Sequence, residues 1–128
     1  MKQTTRHLCL AMTVIFIGAA AIVQAAENPP KPKYTVEEIM KAVFKGEDST
    51  HKKVAQGKAV PADYDKLVEY LSALPLNDPP QGDAVVWKQK STALLDAALN
   101  LKQGKPGALS QYNKVVNCQA CHRVYRPE

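Results

Sequence analysis

The chain has 128 residues, 45% apolar and 23% charged, enough for one domain near the size at which a hydrophobic core alone gives modest stability. Its formal charge is +5, but Lys2 and Arg6 fall in an expected leader, so the mature chain carries fifteen basic against twelve acidic residues. A net charge of +3 is too mild to argue for nucleic acid or an anionic lipid surface as partner.

In chain order, the first 25 residues read as an export signal. Lys2 and Arg6 give the positive start, "LCLAMTVIFIGAAAIV" (8–23) the uncharged apolar run, and "VQA" (23–25) a cleavage site after Ala25, with Ala26 a near alternative. The competing reading is a retained anchor, since the run approaches the roughly 20 residues that span a bilayer. Lipidation through Cys9 does not fit, because that cysteine stands ahead of the core of the apolar run and not after it. Residues 26–33, "AENPPKPK", are a proline-rich, extended lead-in. The folded domain is expected over 34–128.

Thr35 with Glu38 forms a capping-box pattern, and Val36, Ile39, Met40 and Val43 share one face of the first helix. Asp48, Ser49 and Thr50 supply a turn and a new cap before "HKKVAQG", which Gly57 ends. A second clear helix is Pro61 to Leu74, with Tyr64, Leu67, Val68, Leu71 and Leu74 as its apolar stripe. "PLNDPPQG" breaks the chain. A third helix runs from about Asp83 to Lys102 with Trp87, Leu94, Leu95, Ala98 and Leu101 in line, and a last from about Pro106 through to Tyr125. No stretch alternates with a period of two, so the expected fold is all-α, an antiparallel four-helix bundle with the chain's most informative motif on its C-terminal helix.

That motif is "CQACH", Cys118 to His122. It matches the attachment signature of c-type haem, in which two thiols bond to the porphyrin vinyl groups and the adjacent histidine ligates iron. Residues three apart on a helix project from one side, so both sulfurs reach one edge of a flat macrocycle. Two other readings compete. A thiol–disulfide pair calls for a thioredoxin-like βαβ context, which is absent from the pattern. Zinc would need Cys118, Cys121, His122 and perhaps His51, but Cys121 and His122 are neighbours pointing apart, and no second CxxC or HxxxH completes the set. A disulfide between Cys118 and Cys121 closes too short a loop to constrain the unfolded chain much.

"CQACHRVYR" resembles the C-terminal haem-binding helix of the cytochrome c prime family, and most closely that of its low-spin, methionine-ligated relatives. The resemblance implies a single haem c held through Cys118 and Cys121 and ligated by His122. It also implies a distal residue on the first helix, where this chain has Met40, and an arginine near the proximal histidine, here Arg126. The chain departs from the family at Val36, where an arginine often stands.

After cleavage Met40 and His51 are the strong candidates for a sixth iron ligand, with a lysine or the new N-terminus as outsiders. Met40 is the sole methionine of the mature chain; its plain alternative is core filling. His51 lies in a polar run beside two lysines, which reads as a solvated surface site. Arg126 has the alternative of a frayed terminus, and Trp87 and Tyr112 read as packing.

The expectation is therefore a periplasmic or otherwise exported monohaem cytochrome exchanging single electrons with redox partner proteins, with no enzyme constellation. The mature domain is expected to bind neither membrane nor nucleic acid, and the apolar faces of helices one and two leave room for a homodimer. The alternative is a five-coordinate haem protein that binds nitric oxide or carbon monoxide.

Overall fold

The computed structural model describes residues 30–127. The expected leader and residues 26–29 of the lead-in lie outside the described residues. Within them the chain is all-α, with no strand.

The first element starts as α1 (Val36–Ile39). Thr35 caps it reciprocally: its hydroxyl accepts from the Glu38 N–H at 3.2 Å, and the Glu38 carboxylate accepts from the Thr35 N–H at 2.8 Å. The expected single helix then widens into a π-turn over Met40–Phe44, closed by the Lys45 N–H on the Met40 carbonyl at 3.1 Å. One extra residue per turn rotates the rest of the element, so Ile39 and Val43 are fully buried while Val36 and Met40 remain half-buried to one side.

Helix α2 (Thr50–Ala55) is capped by Ser49, whose hydroxyl accepts from the Lys52 N–H at 3.3 Å. Helix α3 (Pro61–Ala73) begins with proline, where no intrahelical donor is needed, and Asp63 receives the Val60 N–H at 3.0 Å. Leu67 and Leu71 on its stripe are fully buried, each contributing roughly 1.5–3 kcal/mol of apolar transfer free energy. A short 3-10 turn over Leu74–Leu76 comes next. Helix α4 (Ala84–Lys102), capped by Asp83 through the Val86 N–H at 2.8 Å, is the longest and packs on α3 and on α5 (Ala108–Val115).

The last expected helix is corrected by the structure. It does not run unbroken from Pro106 to Tyr125 but stops at Val115 and restarts as α6 (Cys118–Tyr125). Val116 and Asn117 have ψ of 84° and 85°, outside the helical range, and the Asn117 side chain accepts from the Ala120 N–H at 3.0 Å. Asparagine competes well for a cap and poorly for a helix interior, so the local chemistry favours a fresh start just before the first cysteine.

The lead-in is fastened at its end. Tyr34 stacks on Tyr70 with ring centroids 4.2 Å apart and donates to Glu69 at 2.6 Å, while Lys33 pairs with the same carboxylate at 2.6 Å. The Lys33 ammonium thus ties the end of the expected lead-in to α3. Among the described residues no helix is long and apolar enough to cross a membrane.

Candidate functional site

A cleft of about 780 Å³ opens between the π-turn, α4 and the break leading into α6. Such a volume lies within the range of small-molecule and cofactor sites. Its walls are mostly apolar, with Val36, Phe44, Leu94, Trp87 and Val116 among them. Met40, Cys118, Cys121, His122 and Arg126 all line it. Two ends of the folded domain therefore meet in one cavity.

Each is presented for a local reason. Met40 opens the π-turn, and its carbonyl holds the turn's closing bond. Cys118 is the first residue of α6 and is exposed; Cys121, half-buried, lies one turn on and His122 next to it, exposed. Both thiols are free. Burial pushes the Cys121 thiol above its ordinary value; the nearby Lys90 ammonium opposes that shift and Cys118 adds to it.

The far end of α6 is pinned by the loop after α3, which the sequence pattern marks only as a breaker. The Gln81 side-chain amide donates to the Val124 carbonyl at 3.2 Å and the Arg126 carbonyl at 2.8 Å. Gly82, at φ +85°, lies so close to α6 that a β-carbon there would sit 3.0 Å from the Tyr125 ring and 3.2 Å from Val124. Tyr125 in turn is buried edge-on against Trp87, ring centroids 5.1 Å apart. The Trp87 indole N–H donates to the Asn77 carbonyl at 2.8 Å, and the Asn77 side chain donates to Ala73 and Tyr34 carbonyls at 2.7 and 2.9 Å. Arg126 therefore lies on a backbone held by hydrogen bonds and not on a frayed end, with its side chain exposed beside the cleft.

No family model, curated protein or solved structure matches the chain. Its chemistry therefore rests on its own residues.

His51 is placed away from these groups. It does not line the cleft; its Nδ1 lies 3.0 Å from the Tyr112 hydroxyl, and its ring tilts against Phe44 at 5.3 Å. Half-buried, it is neither the solvated surface residue expected from its polar neighbours nor a member of the cleft. Burial, then the Lys52 charge, pulls its pKa below the ordinary histidine value. Tyr112, fully buried, has its phenol pushed up by the same desolvation and also by Cys118. Among the described residues no three His, Cys, Asp or Glu side chains converge as a metal-binding group, so a zinc site through Cys118, Cys121, His122 and His51 has no assembled donor set.

Proposed function

We propose that the protein is an exported, monohaem c-type cytochrome whose work is one-electron transfer, built on a four-helix bundle. In that bundle the first helical segment, α3, α4 and the α5–α6 pair are the four members. The observation that carries the reading is the meeting of Met40 with Cys118, Cys121 and His122 in one apolar cleft of cofactor size.

The residues present suit a haem on donor chemistry. Two free thiols one turn apart match thioether attachment; the adjacent imidazole is the expected proximal ligand; a thioether from a separate element is a soft sixth donor. Cys118 and His122, now exposed, would be covered by a flat apolar group seated against them. When bound, that group supplies a one-electron iron couple.

The chain's own part is to hold, shield and tune. Cys118 and Cys121 anchor the group, and the α6 cap at Asn117 keeps them in register. Asn77, Trp87, Tyr125 and the Gln81–Gly82 loop brace the far end of α6, so His122 has a defined direction. Met40 as sixth ligand would favour the reduced state relative to a second histidine and exclude small molecules from the iron. The bond between His51 and Tyr112 keeps the competing imidazole occupied elsewhere.

The test is expression of the full chain with its export signal alongside haem-attachment machinery, followed by mass and absorption spectra. A mass of processed polypeptide plus one haem, with a low-spin spectrum whose ferrous form ignores carbon monoxide, is expected. A coloured protein whose ferrous form binds carbon monoxide assigns it to the five-coordinate, gas-binding alternative. A colourless product with the mass of the polypeptide alone refutes the haem reading altogether.

A further inference from the structure

The charges around the cleft are lopsided. Lys41, Lys45, Lys90 and Arg126 line it against one acidic residue, Glu37, and that carboxylate is bound by Lys41. Lys45, Lys90 and Arg126 pair with no carboxylate among the described residues. The surplus of three positive charges equals the surplus expected of the whole mature chain, so the charges outside the cleft balance one another. Lys45, Lys90 and Arg126 are exposed beside these apolar walls, so each keeps its hydration and can reach negative charge on a ligand seated there.

The positions are set by the same elements that present the donors. Lys45 is the residue whose N–H closes the π-turn on the Met40 carbonyl, so the turn that carries Met40 ends on this cation. Lys90 stands on α4 one turn beyond Trp87 and lines the same cleft as Cys121. Arg126 follows Tyr125 at the braced end of α6.

We propose that the ligand of this cleft carries carboxylates, and that Lys45 and Lys90, assisted by Arg126, hold them. Resting on the haem reading, this assigns those cations to the two propionates of the bound group, as positioning residues that also raise its potential. A fixed positive charge beside the cofactor favours the reduced, less positive iron, and holds neighbouring carboxyls ionised to lower pH.

The experiment measures the midpoint potential of the holoprotein across about pH 5 to 8 for Lys45→Ala, Lys90→Ala, their combination, and Lys90→Arg. The Glu37→Ala/Lys41→Ala variant, which deletes a neutral pair from the same cleft, is the control. The combined variant should shift the oxidised-to-reduced ratio at fixed potential about threefold to tenfold toward oxidised, tenfold being 59 mV for one electron. The pH at which the potential changes should also rise. Lys90→Arg should keep the wild-type profile, and the control should move less than twofold. Coloured, folded variants with wild-type potential and pH profile would overturn the proposal while leaving the haem reading intact. It is equally overturned if the only change is slower electron exchange with an acidic protein, since the cations would then serve docking. A colourless wild type strikes the earlier reading itself.

Discussion

Gly82→Ala tests whether the loop after α3 really braces the motif helix. At φ +85° an alanine adopts a conformation that costs roughly 1–2 kcal/mol for an L side chain. Its methyl would then stand 3.0 and 3.1 Å from two Tyr125 ring carbons and 3.2 Å from Val124, tighter than nine in ten real contacts, so these neighbours must give by a few tenths of an ångström. Tyr125 cannot retreat freely, being buried against Trp87, so an overpacking cost of roughly 1–3 kcal/mol is added. The two are not strictly additive, and a total of about 2–4 kcal/mol is expected. Gly104→Ala supplies the reference: φ is +63° and nothing lies within 4 Å of the new methyl, so the left-handed backbone cost of roughly 1 kcal/mol stands alone. Urea unfolding of both variants, followed by far-ultraviolet circular dichroism, measures the difference, since about 2 kcal/mol moves the midpoint by roughly 1 M at an m-value near 2 kcal/mol/M. Equal midpoints for the two variants would show that loop and α6 do not touch firmly, and the account of how His122 is given its direction would fail.

Three more outcomes are expected. Asn117→Ala removes the acceptor for the Ala120 N–H and should cost about 1 kcal/mol, with faster amide exchange at Ala120 and Cys121; Asn117→Asp should restore both, and unchanged exchange in the alanine variant argues against the cap. His51 is held below its ordinary pKa by burial, so the unfolded chain takes up the proton first as pH falls. Its stabilising share is complete above about pH 6.5 and is lost on acidification, at no more than about 1.4 kcal/mol per pH unit. Urea midpoints at about pH 7.5 and 5 should therefore differ less in His51→Gln than in wild type, and identical pH slopes would contradict the burial argument. Met40→Ala should convert a low-spin holoprotein to high-spin at a stability cost of no more than about 2 kcal/mol, because the side chain is only half-buried; an unchanged absorption spectrum rejects Met40 as ligand.

Legibility in the sequence tracks the range of the interactions. Capping by Thr35 with Glu38 and at Ser49, and the stripe holding Leu67 and Leu71, depend on neighbours within a turn or two, and the structure has them all. The π-turn at Met40 escapes a pattern reading because its residues keep the same apolar spacing either way; only the Lys45 bond to the Met40 carbonyl distinguishes them. Asn117 does carry a visible cue, since an asparagine inside an apparent helix is a candidate cap, but valines before it and the motif after it mask the break. His51 is misread from its lysine neighbours, because its partner Tyr112 is 61 residues away.

The same division explains why the cleft's chemistry is only half visible in the sequence. "CQACH" is a local pattern, readable because its geometry needs only one helical turn. Its surroundings are not local: Lys90 acts on Cys121 from another helix, Gln81 holds Arg126 from a loop 45 residues earlier, and Asn77 joins Tyr34, α3 and Trp87 at one point. A pattern in sequence can name the residues that would grip a cofactor. The residues that would fix its potential and exclude water come from whichever elements the core happens to press against it, so replacing Lys90 or Gly82 should alter the site's behaviour without touching any residue of the motif.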